Sequence, residues 1–241
     1  RGTLNAGFAS LPVLKALIKL PELPGGQTRV IYDPKVSPLA LLKWKEIDII
    51  PYLFRNGHSQ IKDYMHKIGA MAAVEESGHF YHTLSLDNLT MYGENSIVTT
   101  LLFLKALKDN PSIMDSLWEL QNSVFTTGEF NFKFKNDSIR DRALKDITDS
   151  LSRGKNVETA SYTKDGIDLQ GTVISSGLNS SSISNESKDL TGNWYSGYFR
   201  ASTNEKAILR AYVSASDPDT GEELEQKVIH IARQHDGLEA E

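Results

Sequence analysis

From Ser10 to Leu20 apolar residues return at helical spacing. Leu11, Leu14, Leu17 and Ile18 share a face, and Pro21, Pro24, Gly25 and Gly26 stop the run. Arg29 to Asp33 is short, β-branched and aromatic, which predicts a strand. Leu39 to Lys45 predicts a helix, and Ile47 to Leu53 a second strand. From Ser59 to Ile68 the apolar positions Ile61, Tyr64, Met65 and Ile68 again fit a helix, with Ser59 as its N-cap. Ala70 to Val74 reads as a buried strand that delivers Glu75 to its carboxyl end. Asn95 to Leu107 and Ser112 to Leu120 read as helices. This alternation predicts an α/β domain with a mixed, mainly parallel sheet, whose ligands gather where the strands end.

Beyond Gln121 and Asn122 the pattern changes. Phe130 to Phe134 alternates with period two, as a half-buried strand does, and Ser138 to Ser152 forms a helix with Ile139, Leu144, Ile147 and Leu151 inward. Strands over Asp168 to Ile174, Asn193 to Arg200 and Ile208 to Ala215 follow, with a closing helix from Glu222 to Gln234. Ser175 to Asp189, rich in Ser and Asn, reads as a surface loop. The second half is thus a smaller α+β domain with a sheet and helices. The boundary divides the chain into domains of residues 1–122 and 123–241.

Composition narrows the function. A net charge of −5, with 26 basic residues gathered into no stripe, gives no nucleic-acid face. No apolar run reaches the roughly 18 residues of a membrane helix. The absence of cysteine removes disulfides and thiol chemistry and fits a cytoplasmic protein. Neither a zinc-ligand pattern nor a Gly-rich nucleotide loop occurs, so no metal ligand is assigned.

Three polar clusters carry the chemistry. Val74-Glu75-Glu76-Ser77-Gly78-His79 sets carboxylates, a hydroxyl and an imidazole around one glycine, a set suited to sugar hydroxyls. Asn56-Gly57-His58-Ser59-Gln60-Ile61-Lys62 stands at a strand-to-helix junction. His58 there can bind a phosphate, move a proton, or simply cap the helix. Lys35, in Tyr32-Asp33-Pro34-Lys35-Val36-Ser37, is either a cation for a ligand oxygen or a solvated loop residue. Arg200-Ala201-Ser202-Thr203-Asn204-Glu205-Lys206, between two strands, offers a guanidinium, hydroxyls and an amide to a phosphate, or is an ordinary polar hairpin.

In order, these clusters resemble the third and fourth domains of the α-D-phosphohexomutases, the phosphomannomutase/phosphoglucomutase family. The third domain of that family carries Asp-x-Lys, then Gly-His-Ser-x-Ile-Lys, then Gly-Glu-x-Ser-Gly-His. Here these are Asp33-Pro34-Lys35, Gly57 to Lys62, and Val74 to His79, with Val74 in place of the usual Gly. The fourth domain carries Arg-x-Ser-Asn-Thr-Glu-Pro and then Leu-Arg-x-Tyr-Val. Here Thr203 and Asn204 are swapped, Lys206 replaces Pro, and Leu209 to Val213 follows.

The resemblance implies an isomerase of carbohydrate metabolism that interconverts hexose 1- and 6-phosphates through a hexose 1,6-bisphosphate. It implies Arg200, Ser202, Thr203 and Asn204 on the phosphate, and Glu75 and Ser77 on the ring hydroxyls. Lys35 and His58 take the catalytic contacts, and His79 supports its loop. The phosphoserine loop and the acidic Mg²⁺ loop of the family do not occur in this sequence, and Arg1 is not an initiating Met. The expectation is therefore a C-terminal half, inactive alone, whose Mg²⁺ and N-terminal domains lie elsewhere in a longer chain. The alternative is a non-catalytic sugar-phosphate binding module derived from the family.

Overall fold

Three short strands, Arg29–Tyr32 (β1), Ile50–Leu53 (β2) and Ala72–Val74 (β3), pair in parallel in the first sheet, with β1 between the other two. Val30, Ile31 and Tyr32 are all buried, as parallel strands covered on both faces require. The computed structural model describes residues 2–20, 28–86, 89–178, 190–235 and 238–239. It divides into two units, one running to Ser123 and the other beginning at Val124.

In the first unit, Phe80–Leu86 (β4) and Leu89–Glu94 (β5) extend the sheet antiparallel, giving the order β2-β1-β3-β4-β5. Among the described residues the unit's helices are Ala6–Leu17 (α1), Pro38–Lys45 (α2), His58–Ile68 (α3), Ser96–Asp109 (α4) and Ile113–Asn122 (α5). The first helix packs on β3, α2, α4 and α5, burying Phe8, Val13, Leu14 and Leu17. The indole N–H of the fully buried Trp44 donates to the Gly7 carbonyl at 3.2 Å, tying α2 to α1.

The second unit is an antiparallel sheet in the order β11-β6-β10-β9-β8-β7. Its strands are Phe125–Phe134 (β6), Val157–Tyr162 (β7), Asp168–Leu178 (β8), Leu190–Ala201 (β9), Ile208–Ala215 (β10) and Leu238–Glu239 (β11). Its helices, Asp137–Leu151 (α6) and Pro218–Arg233 (α7), pack on each other and on β6, β9 and β10. Ala143, Ile147 and Leu151 recur every four residues on α6, as do Leu224, Val228 and Ala232 on α7. Both rows meet Phe134, Phe199, Leu209 and Val213. Asn136 and Asp217 cap the two helices by accepting from Ile139 N and Thr220 N.

Several sequence expectations shift. The α1 helix starts at Ala6, four residues before the expected Ser10, so Pro12 lies in its interior and not in its first turn. Asp48, with φ 62°, turns the chain and delays β2 to Ile50. Ser59 is not the N-cap of α3. Gly57 holds that place at φ 137°, a backbone that side chains rarely adopt, and Ser59 falls within the first turn. The β4–β5 hairpin and β7 were not anticipated. The exposed Thr159, Ser161 and Tyr162 leave β7 with no clear apolar alternation. Within the expected Ser-rich loop, residues 175–178 belong to β8, and residues 179–189 lie outside the described set.

Phe199 is fully buried at the centre of the second core, whereas Tyr162 on the terminal strand is 59% exposed. Phe199→Ala is expected to destabilise the second unit by about 3–5 kcal/mol. Tyr162→Ala should stay within about 0.5 kcal/mol of the parent. Urea unfolding midpoints check both, and equal effects would place the core elsewhere.

Candidate functional site

Asp33, Phe54 to Gly57, and Glu75 directly follow the carboxyl ends of β1, β2 and β3, so the parallel pairing brings their side chains together. Asp33 is 2% exposed, and one of its oxygens accepts from Lys35 N at 3.1 Å, folding the turn that carries Lys35. The Lys35 ammonium, itself buried, lies 3.6 Å from the other oxygen. Burial raises the Asp33 pKa, opposed by Lys35 and by the Asn56 hydrogen bond.

Asn56 joins the strands. Its amide donates to Asp33 Oδ2 at 2.7 Å and to Glu75 Oε1 at 2.8 Å. The other Glu75 oxygen accepts from the Tyr81 hydroxyl at 2.8 Å, and that hydroxyl lies 2.9 Å from His58 Nδ1. Glu75 is only 4% exposed, so both oxygens are held by protein donors, as a buried carboxylate requires. Burial and the adjoining Glu75 carboxylate push the Tyr81 hydroxyl well above the usual phenol range, so it remains a neutral donor.

The loop after β3 closes on itself through Gly78 N to Glu75 O and Glu75 N to His79 O, with Gly78 at φ 92°. Ser77 is exposed at its tip. Glu76 turns the other way. Its carboxylate accepts from Gly7 N at 3.0 Å, at the amino end of α1, and so anchors the loop to a helix terminus. Burial still dominates and pushes its pKa up to about 8, with the negative Asp33 adding to the shift.

His58 and His79 both face Glu94 at the end of β5. Their Nδ1 atoms lie 3.3 and 2.7 Å from its two oxygens. The His79 bond, together with the two imidazoles, holds the Glu94 carboxyl below the usual range. Thus Lys35, His58 and Glu75 belong to one cluster with Asp33, Asn56, Tyr81 and Glu94, and Ser77 stands on the loop beside it. Asn56 was legible as the residue before Gly57-His58. Tyr81 and Glu94 were not among the predicted site residues, because only the register that pairs them across β4 and β5 puts them here.

In the second unit, Arg200, one residue before the end of β9, stands beside Arg210 of β10, its registered partner. Glu129 of β6 lies between them, bonding Arg210 and standing 4.0 Å from the Arg200 guanidinium. Arg200 Nε is buried without an acceptor among the described residues. The connection to β10 is a tight turn. Ser202 N donates to Ile208 O, Glu205 N donates to Ser202 Oγ, and Ala207 N donates to Asp137 Oδ1 on α6. Thr203 and Asn204 are exposed at its tip, while Ser202 is buried. Arg210 also takes Glu205, so that carboxylate is neutralised within the turn.

The first unit delivers polar groups to the carboxyl ends of its parallel strands, and the second, antiparallel unit carries an arginine-bearing turn. Residues 12–126 match the family model of phosphoglucomutase/phosphomannomutase, alpha/beta/alpha domain III. Among solved structures the chain is similar to a phosphoglucomutase/phosphomannomutase family protein from Burkholderia thailandensis (TM-score 0.61, 15% identity, 97% of this chain and 42% of that one). It is also similar to the open form of the phosphoglucomutase pp63/parafusin from Paramecium (TM-score 0.63, 10% identity, 99% and 43%). A third likeness is to an N-acetylglucosamine-phosphate mutase in a product complex (TM-score 0.51, 14% identity, 95% and 44%). At these identities the likeness shows the fold, and the chain spans less than half the length of each structure. No curated protein matches the chain by sequence. No helix among the described residues is long and apolar enough to cross a membrane.

Glu76 provides a pH test of the loop anchor. Its folded pKa, about 8, exceeds the ordinary 4.5, so its contribution to stability is full below pH 4.5 and is lost as pH rises through about 8. Glu76→Gln keeps an acceptor for Gly7 N without the titration. From about pH 5 to about pH 9 the melting temperature of the parent should fall relative to this variant. Parallel curves would mean that Glu76 is ionised throughout.

Proposed function

We propose that this chain is the sugar- and phosphate-recognition part of a phosphohexomutase that interconverts hexose 1- and 6-phosphates. The observation that carries the reading is the hydrogen-bonded chain Asp33–Asn56–Glu75–Tyr81–His58 where the parallel strands end. Asn56 and Tyr81 each occupy one lone pair on a Glu75 oxygen, which fixes the carboxylate and leaves further acceptor capacity for ring hydroxyls. Ser77, exposed on the same loop, adds a donor and acceptor.

His58 has its Nδ1 turned toward Tyr81 and Glu94. A proton kept on Nδ1 leaves the lone pair on Nε2, which then accepts a proton from a ligand hydroxyl. Lys35, held by Asp33, brings a fixed positive charge to a ligand oxygen. In the second unit, Arg200 binds the phosphate that is not transferred, with Ser202, Thr203 and Asn204 around it, and its unmatched Nε supplies an unused donor.

Mg²⁺, which the family resemblance implies, does not fit this chain. Among the described residues the one group of at least three convergent His and acidic side chains includes two imidazoles, whereas Mg²⁺ selects oxygen ligands. In this reading it is held by N-terminal domains of a longer chain, and the present chain alone binds sugar phosphate without turning it over. A second reading, a binding module without catalysis, draws on the swapped Thr203-Asn204 pair and on Lys206. It predicts the same binding and differs only in having no catalytic partner.

Calorimetric titration with glucose 1,6-bisphosphate and mannose 1-phosphate tests the reading. The parent should bind, with Arg200→Ala weakening the affinity by about tenfold or more through loss of a charge-assisted contact. Glu75→Gln should weaken the sugar contribution by a smaller factor. No binding, or binding indifferent to both substitutions, removes the reading, and turnover by this chain alone would overturn its passive role.

A further inference from the structure

We propose that His58, His79 and Glu94 form a binding site for a borderline divalent transition metal, Zn²⁺ by ligand preference. The three residues come from separate elements: the first turn of α3, the end of the loop before β4, and the end of β5. One ligand atom from each lies within 4.8 Å of the others. The imidazole rings stand 4.7 Å apart at 73°, so both Nδ1 atoms can point at one centre without stacking.

Tetrahedral Zn²⁺, with bonds near 2.0–2.1 Å, holds its ligand atoms about 3.3 Å apart. The His58 Nδ1–Glu94 Oε2 separation is already 3.3 Å, and the His79 Nδ1–Glu94 Oε1 separation is 2.7 Å. All three side chains are between 38% and 55% exposed, which leaves them room to close around an ion. Two imidazoles and a carboxylate suit Zn²⁺ far better than Mg²⁺ or Ca²⁺. Three protein ligands leave a fourth position open to water or to an oxygen of another ligand.

Charge and surroundings agree. Two neutral imidazoles and one carboxylate sum to −1, and Glu75 stands behind through Tyr81. Without a cation, Glu94 is hydrogen-bonded to His79 Nδ1, and His58 Nδ1 lies 2.9 Å from the Tyr81 hydroxyl and 3.3 Å from the other Glu94 oxygen. A metal replaces any proton on these Nδ1 atoms and is held by the nitrogen lone pairs. Tyr81 keeps its donation to Glu75 when His58 Nδ1 is metal-bound, so the buried part of the network stays intact and only the Tyr81–His58 contact is given up.

The proposal does not depend on sugar-phosphate recognition, because its test reads the metal directly. The untagged 241-residue chain, stripped with chelator, is titrated with Zn²⁺ against a chromophoric competitor and separately with Co²⁺. Expected are one equivalent of Zn²⁺ and the visible absorption bands of four-coordinate Co²⁺. Losing even an outer partner of a metal ligand costs about 10–100-fold in affinity. Removing a ligand by His79→Ala or Glu94→Gln should therefore weaken binding at least tenfold. His230→Ala, on α7, should leave it unchanged, and circular dichroism verifies that each variant is folded. Absence of stoichiometric binding overturns the proposal. So does an affinity that His79→Ala and Glu94→Gln leave untouched in folded protein.

Discussion

Two carboxylates, Asp33 and Glu75, are buried within reach of one asparagine, and the first unit is organised around keeping them satisfied. Isolated buried charges are strongly disfavoured, so each oxygen needs a donor or a counter-charge. Asn56 serves both acids, Lys35 offsets Asp33, and Tyr81 completes Glu75. These groups arise from β1, β2, β3 and β4, so the hydrogen bonds also fix where the strands end relative to one another. Sheet register and site geometry are one constraint. A shift of one strand by one residue would turn its side chains to the other face and break the chain of bonds.

Glu75 and Glu76 show how neighbouring residues of one type diverge. Successive side chains leave the loop in different directions. One carboxylate meets Asn56 and Tyr81, while the next meets the amino end of α1. The first belongs to the candidate site. The second fastens the loop that presents it, and desolvation there outweighs the favourable helix terminus. The loop is thus held from both sides, which limits how far Ser77 at its tip can stray.

The second unit solves a different problem with the same economy of charge. Arg200 and Arg210 are registered partners on adjacent strands, a pairing that repels unless an anion stands between. Glu129 and Glu205 both bond Arg210 directly, whereas the Arg200 guanidinium stands 4.0 Å from Glu129. An asymmetric pair of this kind is suited to an incoming anion. A fully matched pair would have to break existing bonds first. The rigid support is the aromatic and aliphatic core beneath, with Phe199 next to Arg200 on β9.

Much of this was written in local sequence. Apolar spacing marked α3, α4, α6 and α7 within a few residues, and Ile208 to Ala215 was legible as a strand from end to end. The polar clusters around Lys35, His58, Glu75 and Arg200 were visible because each is contiguous, and glycines or strand ends bound them. Tertiary structure alone decided the rest. Gly57 and not Ser59 caps α3, since the choice depends on the backbone angle that enters the helix. Tyr81 and Glu94 join the site through a hairpin register, and Glu76 leaves it through a contact with Gly7, 69 residues away in sequence. Propensity and periodicity are properties of a few neighbouring residues. Which lone pair is occupied, and by whom, depends on pairing between distant segments and on burial, and these come into being only when the sheet is assembled.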